Sequence, residues 1–173
     1  LNEETVKDLR YCVDERGALL VVIAGPNYMP HAFEDTAWQE LLPVRYAPRK
    51  ERLFESPEPE YRLLLSPSGR THPIMQMSAS ATENDQVWSD MPKLHWRCLI
   101  EDAKEGANVL AYAEPQTKAD DRDLFERRTV SAEEAARDLE AQIKRRSRNA
   151  LIVEHRFGQG RVLMMNFDRT WRL

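Results

Sequence analysis

An uninterrupted apolar run near the start of the chain gives the first structural prediction. Residues 19–24 are all apolar, three of them are β-branched, and the run lies between Gly17 and the pair Gly25-Pro26. A short apolar run bounded by glycines is typical of a strand buried on both faces, as in a parallel sheet covered by helices. We therefore expect residues 19–24 to form a central parallel strand.

The segment before this run has the spacing of an amphipathic helix. Val6, Leu9 and Val13 fall on one helical face with Cys12 beside them, which predicts a helix over residues 2–16. Asn2 is a suitable N-cap, and Gly17 is a suitable residue to end the helix. We expect this helix to pack on the sheet and Cys12 to face the core.

The middle of the chain predicts shorter elements separated by polar segments. Apolar runs indicate strands at residues 61–65, 94–100 and 108–113. Short helices are expected at residues 37–42, 74–77 and 83–89, with a turn at 66–69. Charged or proline-rich stretches at 44–60 and 116–129 are expected to cross the surface.

A longer helix is predicted after residue 130. Ser131-x-x-Glu134 is a capping-box pattern, and it begins a helix that extends to about Arg146. The basic residues at its C-terminal end interact favourably with the helix dipole, although they could also contact a partner. One face of this helix is apolar and consists of Ala132, Ala135, Ala136, Leu139 and Ile143.

The C-terminal part of the chain predicts a hairpin. Residues 150–157 and 161–168 have the composition of strands, and they are joined by Gly158-Gln159-Gly160. A connection this short that contains glycine favours an antiparallel hairpin. We expect His155 to point outward from it.

Composition and charge exclude several classes of protein. The chain has 173 residues, of which 42% are hydrophobic and 31% charged, as in one soluble globular domain. Its net charge of −4 argues against general nucleic-acid binding. No apolar run is long enough to insert this segment into a membrane, and the pattern of a signal peptide is not present in these 173 residues. Because the chain begins without Met and directly in a helix, we expect a fragment of a longer protein whose other parts could span a membrane.

The two cysteines do not indicate a metal or cofactor site. Cys12 and Cys98 both lie among apolar residues, so we expect two free, mostly buried thiols. A disulfide between them stays open, because sequence alone cannot establish one. No Cys or His spacing matches a metal-ligand motif, and we expect neither a metal nor a cofactor.

Seven motifs together resemble a known domain. They span nearly the whole chain, and they resemble the glutamine-amidotransferase domain of large bacterial membrane-associated proteins, often found with von Willebrand A-type domains. That domain belongs to the class I glutamine-amidotransferase-like superfamily, and the hairpin motif is also similar to trehalose-utilisation-type proteins. The motifs are residues 13–26, Leu41-Leu42-Pro43-Val44, Gly69-Arg-Thr-His72-Pro73, Trp88-x-x-x-Pro92, Gly106-Ala-Asn-Val-Leu-Ala111, Phe157-Gly-Gln-Gly-Arg161 and Asp168-Arg-Thr-Trp171-Arg172.

The resemblance implies a fold and a test for activity. It implies an α/β domain over residues 1–173: a three-layer flavodoxin-like sandwich with a mostly parallel central sheet, whose first strand would precede Leu1. Enzymes of this superfamily carry a nucleophilic Cys in the elbow after a strand like residues 19–23, and a His after a late strand. Here the elbow is Ala24-Gly25-Pro26, and residues 164–168 contain no His. A thiolate nucleophile and its base are therefore both missing from the expected positions.

Three functions stay open from the sequence. The first is a non-catalytic binding or scaffold domain that contacts other domains of the same longer chain or protein partners. The second is a carbohydrate-related enzyme that uses His72 with Asp168 or Glu34, and the third is an amidotransferase whose nucleophile comes from another chain. Localisation stays open, with tethering to a bacterial membrane as one possibility.

The carboxyl edge of the sheet is the candidate binding surface. For five of the candidate residues below, a purely structural role is the alternative: a turn for Gly25 and Asn27, packing for Trp171, and an ion pair or cap for Asp168 and Arg172. The candidate binding residues are Gly25, Asn27, Tyr28, His72, Asp168, Trp171 and Arg172.

Overall fold

A five-stranded sheet with helices forms the centre of the molecule. The structure, a computed structural model, describes residues 2–27, 29–30, 37–46, 60–115 and 131–168. The strands are β1 (Leu19–Ile23), β2 (Val44–Tyr46), β3 (Tyr61–Leu65), β4 (Ile100–Ala103), β5 (Asn108–Pro115), β6 (Ala150–Phe157) and β7 (Gly160–Met165). The helices are α1 (Glu3–Asp14), α2 (Trp38–Leu41), α3 (Pro67–Thr71), α4 (Ala81–Ser89) and α5 (Ala132–Arg148), with a 3-10 turn at Pro73–Met75.

The strand order is β1-β7-β6-β5-β3, and β2 pairs with β4 in a separate two-stranded sheet. The mixed α/β class is therefore confirmed. The expected mostly parallel sheet is wrong for the described strands, because only β1 and β7 are parallel and the other three pairs are antiparallel. The expected central position of residues 19–24 is also wrong, because among the described strands β1 lies at the edge of the sheet and pairs with β7 alone. A run of apolar residues reports hydrophobicity, and it does not report which sides of a strand are covered.

Alternation along the strands produces one apolar cluster on each face of the sheet. On the first face, Val22, Val153 and Met164 pack with residues of α1, α2 and β2. On the second face, Ile152 and Leu163 belong to a cluster with residues of α4 and the 3-10 turn. Elements of the chain therefore cover both faces of the strands from β7 to β5.

Helix α1 packs on the first face as its pattern predicts. Asn2 caps it, since the Asn2 Oδ1 accepts a 2.8 Å hydrogen bond from the Thr5 N–H. Val6 and Val13 are buried, but Cys12 is exposed. The expectation that Cys12 faces the core is wrong, because adjacent helical positions lie about 100° apart and Val13 occupies the covered side. The Cys98 side chain is buried, as expected.

The predicted hairpin is confirmed, and it holds the end of α1. Strands β6 and β7 pair antiparallel up to Phe157 opposite Gly160, although β7 ends at Met165 rather than at residue 168. The Gln159 N–H donates a 2.8 Å hydrogen bond to the Asp14 carbonyl. A Cβ atom at Gly160 would overlap the carbonyl oxygens of Val13 and Ala18, so the glycine permits this close approach.

Several local predictions differ from the structure. Residues 94–100 are not a continuous strand, because Leu94 and Arg97 form isolated bridges only and the ladder begins at Ile100. The turn predicted at 66–69 is the start of α3, where the Ser66 side chain accepts a hydrogen bond from the Gly69 N–H. The short helix predicted at 74–77 is instead a 3-10 turn at Pro73–Met75. His155 does not point outward: it is on the first face, where its Nε2 is 2.8 Å from the Leu41 carbonyl.

Other predictions are confirmed, and some lie outside the described residues. Strands β3 and β5 and helices α2 and α4 are found where the pattern places them. The surface crossing expected from residue 44 is wrong for residues 44–46, because these form β2 and Val44 is buried. Residues 47–59 and the segment at 116–129 lie outside the described residues.

Helix α5 differs from the others in its surroundings. Its capping box is present, with Ser131 and Glu134 bonded to each other's backbone N–H groups. None of its side chains is buried. Its last turn holds it to the rest of the molecule: Ser147 Oγ accepts a 2.9 Å bond from the Ala103 N–H, and the Arg146 guanidinium is 5.6 Å from the Tyr112 ring centroid.

Candidate functional site

The turn after β1 is where the family resemblance would place a nucleophile. Ala24 is buried at 2% exposure, and its N–H donates a 2.8 Å hydrogen bond to the Met165 carbonyl. The Gly25 N–H donates to the Met29 carbonyl at 2.7 Å, and Pro26 has no N–H. This turn offers neither a nucleophilic side chain nor a free pair of adjacent N–H groups for an oxyanion.

The end of β7 is occupied by a buried asparagine. Asn166 is fully buried, and its Nδ2 donates a 2.9 Å hydrogen bond to the Ala150 carbonyl. Its backbone N–H donates to Leu151, and its carbonyl accepts from the Cys98 N–H at 2.7 Å. Asn166 therefore joins three segments of the chain. The sequence signal for this role is a single polar residue within the apolar run from residue 162 to 167.

The structure brings part of the candidate binding set to one edge. Gly25 and Asn27 follow β1, and Asp168 follows β7, so all three lie beyond the carboxyl ends of the two parallel strands. Asn27 is exposed, and Gly25 and Asp168 are half-buried. Tyr28, Trp171 and Arg172, together with the alternative carboxylate Glu34, lie outside the described residues.

His72 lies apart from that edge, over the second face of the sheet. Its Nε2 is 2.9 Å from the Oε1 of Glu154, a residue in the middle of β6, and both side chains are about 15% exposed. Glu154 is opposite Leu163 in β7, and its second carboxylate oxygen is 3.9 Å from an Arg161 nitrogen. Glu154 was not among the predicted site residues, and its sequence signal is a single acid after the apolar start of β6.

The hydrogen bonds of His72 decide what its ring can do. Its Nδ1 accepts a bond of 3.4 Å from the Ile74 N–H, so His72 caps the 3-10 turn. Because Nδ1 accepts, the proton of the neutral ring is on Nε2, which donates to Glu154. A catalytic histidine needs one ring nitrogen free for the substrate, and here both nitrogens have partners.

Neither cysteine joins His72. Cys98 belongs to the cluster on the first face of the sheet, and its thiol is 3.6 Å from the Leu99 carbonyl. His72 and Glu154 are on the second face. The sheet therefore separates Cys98 from His72, and Cys12 is on the exposed side of α1.

A partly buried lysine lines a cleft beside α2 and β2. The Lys104 Nζ donates to the carbonyls of Gln39 at 2.6 Å and Glu40 at 3.2 Å, and burial lowers the pKa of this amine. Those bonds hold the end of α2 to the β4–β5 turn, which gives Lys104 a structural role. The cleft is lined by Gln39, Glu40, Val44, Arg45, Tyr46, Glu101 and Lys104.

The outer edge of β1 is the most apolar exposed feature of the sheet. Leu19, Val21 and Ile23 are 55%, 47% and 48% exposed. The Ala18 carbonyl and the Ala24 N–H both bond to β7. In a parallel ladder alternate residues point to the same neighbour, so the backbone groups of the three exposed residues point away from β7. Within the described residues no strand pairs with this edge.

Metal and membrane sites are not found among the described residues. No group of three or more His, Cys, Asp or Glu side chains there is arranged to hold a metal ion. None of the described helices has the length and apolar composition required to cross a bilayer.

Comparison with known proteins gives a fold likeness only. No family model matches the sequence, and no curated protein matches it. The chain is similar to a solved structure titled "Cytoplasmic Protein STM3548 from Salmonella typhimurium", with a TM-score of 0.54 and 15% sequence identity. The match covers 96% of this chain and 48% of that one, so this chain spans about half the length of that protein.

Proposed function

We propose that this chain is a non-catalytic binding or scaffold domain of the class I glutamine-amidotransferase-like type, built as a three-layer α/β sandwich whose sheet is mostly antiparallel. The observation that carries the proposal is the turn after β1, where Ala24 is buried and Gly25 has no side chain. The two-sided bonding of His72 supports it, because that ring has no nitrogen left for a substrate.

Ammonia release from glutamine by the purified chain tests the absence of catalysis. We expect no turnover above background, because both the thiolate and its base are missing. The matched control is the Cys12→Ser, Cys98→Ser double variant. Turnover in the unmodified chain that disappears in this variant would contradict the proposal, since one of the two thiols would then reach a site.

The proposed binding surface is the outer edge of β1, and its proposed occupant is an extended apolar segment of another polypeptide that adds as a further strand. Main-chain groups on this edge are directed outward, and Leu19, Val21 and Ile23 provide apolar contacts beside them. Residues 19–23 contain no Lys, Pro or inward-pointing charge, which are the usual protections of an edge strand.

A short peptide of alternating Thr and Val with lysine tags, labelled for fluorescence anisotropy, is a suitable probe of this edge. We expect it to bind the unmodified chain, and we expect Val21→Lys to raise the Kd at least about 10-fold, since a charge on the second face of the sheet would lie beside the apolar side chains of the added strand. Val87→Lys, at an exposed position on α4, is the control and should bind as the unmodified chain does. Equal binding by both variants would refute the assignment of this edge.

A further inference from the structure

Helix α5 is exposed on every side for most of its length. The side chains of residues 132–145 are all exposed, and only Arg146 and Ser147 are half-buried against the rest of the molecule. A single helix of this length is only marginally stable in water unless another element covers its apolar face. The described residues include no such element for α5.

The exposed side of α5 carries a continuous apolar stripe. Ala132, Ala136, Leu139 and Ile143 are spaced by four, three and four residues, which is the spacing of a helix–helix seam. Leu139 and Ile143 are 54% and 56% exposed. The two alanines allow a second helix to approach closely at one end of the stripe.

The charges on α5 are separated along the helix. Its first half has four acidic residues and one basic residue, Arg137. Its last turns have four basic residues, Lys144, Arg145, Arg146 and Arg148, and no acid. No ion pair within the described part of the chain involves any of these side chains. Apart from Glu134 in the capping box and Arg146 against Tyr112, the charges of both halves are therefore available to a partner.

The charge pattern selects the partner and its direction. A parallel pair of α5 helices would place acid beside acid and base beside base, whereas an antiparallel pair places each acidic half along a basic half. An anionic membrane would attract the basic end and repel the acidic half. We propose that α5 is a self-association surface, through which two copies of this chain pair antiparallel and cover Leu139 and Ile143. This inference does not rest on the proposed function.

Charge reversal in both halves tests this pairing. The first variant carries Glu133→Lys, Asp138→Lys and Glu140→Lys, and the second carries Lys144→Glu, Arg145→Glu and Arg148→Glu. Sedimentation equilibrium should show a dimer for the unmodified chain and a monomer for each variant alone. An equimolar mixture of the two variants should restore a dimer, because one variant's helix is then mostly basic and the other's mostly acidic.

Substitutions on and off the stripe provide matched controls. Leu139→Glu should raise the dimer Kd at least about 100-fold, since it places a carboxylate in the seam of both copies. Ala141→Glu, on the opposite side of the helix, and Val21→Lys, on the β1 edge, should leave the dimer unchanged. Circular dichroism would verify that every variant keeps its helix and sheet content.

Three results would overturn the proposal. The first is an unmodified chain that stays monomeric at the highest soluble concentration. The second is a dimer that persists in Leu139→Glu. The third is a monomeric chain that co-sediments with phosphatidylcholine–phosphatidylglycerol vesicles and loses that binding in Leu139→Glu, which would assign the stripe to a membrane surface.

Discussion

Helices α1 and α5 look alike in the sequence and differ in the structure. Both begin with a side-chain cap, Asn2 in α1 and Ser131 in α5, and both have an apolar stripe. The stripe of α1 is covered, with Val13 only 1% exposed, whereas Leu139 in α5 is 54% exposed. An apolar stripe therefore indicates that a helix has a face to be covered, and it does not indicate whether the same chain covers it.

The difference arises at the ends of the two helices. The β6–β7 turn reaches the end of α1, where the Gln159 N–H bonds to the Asp14 carbonyl and Gly160 permits close backbone contact. Those contacts hold α1 along the first face of the sheet. Helix α5 is held by its last turn only, so its first three turns extend away from the described body.

The largest expected effect comes from removing the close approach at α1. Gly160→Ala would place a methyl group against the carbonyl oxygens of Val13 and Ala18, neither of which can move without shifting a helix end or a strand. We expect the free energy of unfolding to fall by about 3 kcal/mol or more, as measured by urea denaturation.

Gly25→Ala is the control for this substitution. No described heavy atom lies within 4 Å of a Cβ at that position, so we expect a change below about 0.5 kcal/mol. A Gly160→Ala variant as stable as Gly25→Ala would show that the turn does not hold α1.

Truncation of the two stripes should give unequal effects. Val13→Ala removes buried methyl groups from the first face, and we expect it to cost about 1–3 kcal/mol in urea denaturation. Leu139→Ala, measured at a protein concentration low enough to favour the monomer, should cost less than about 0.5 kcal/mol. Similar losses for the two variants would mean that the α5 stripe is covered within one chain.

The two N-caps sharpen the comparison on a smaller scale. Asn2→Ala should lower the free energy of global unfolding by about 1 kcal/mol, because α1 unfolds with the core. Ser131→Ala removes a comparable cap from α5, but there it should reduce helical circular dichroism and leave the core transition in place. A matching shift of the core transition in Ser131→Ala would show that α5 unfolds with the core.

The smallest expected effect is a pH dependence of the stability, which arises from His155 on the first face of the sheet. Burial lowers the pKa of His155, although its bond to Leu41 opposes this shift. The unfolded chain therefore binds a proton at a higher pH than the folded chain, so stability is complete above the unfolded pKa near 6.5 and falls as the pH decreases through it. In the His155→Gln variant, the urea-denaturation midpoint should change less between pH 7.5 and 5.5 than it does in the unmodified chain. An equal change of the midpoint with pH in both proteins would contradict this role.

Helix caps and tight turns could be predicted from the sequence because they depend on residues that are close together in the chain. The cap at Asn2, the capping box at Ser131 and the glycine-containing turn after Phe157 each depend on a few neighbouring residues, and all three were predicted. Strand order depends on contacts between distant residues. The uniform apolar character of β1 gave no alternation, so it could not reveal that every second side chain is exposed.

The candidate site was predictable only in part, for the same reason. The absence of a nucleophile at Ala24-Gly25 can be seen directly in the sequence. The pairing of His72 with Glu154 joins residues 82 positions apart, and no local pattern connects them. The separation of Cys98 from His72 by the sheet also required the tertiary structure.

Site-resolved amide hydrogen exchange along β1 tests most directly whether the chain presents an open strand edge. At concentrations that favour the monomer, we expect fast exchange at Leu19, Val21 and Ile23, whose N–H groups point away from β7, and slow exchange at Leu20 and Val22, which face it. This alternation would support a binding edge. Equal and strong protection of all five amides would contradict it, because another segment of the same chain would then already be paired with β1.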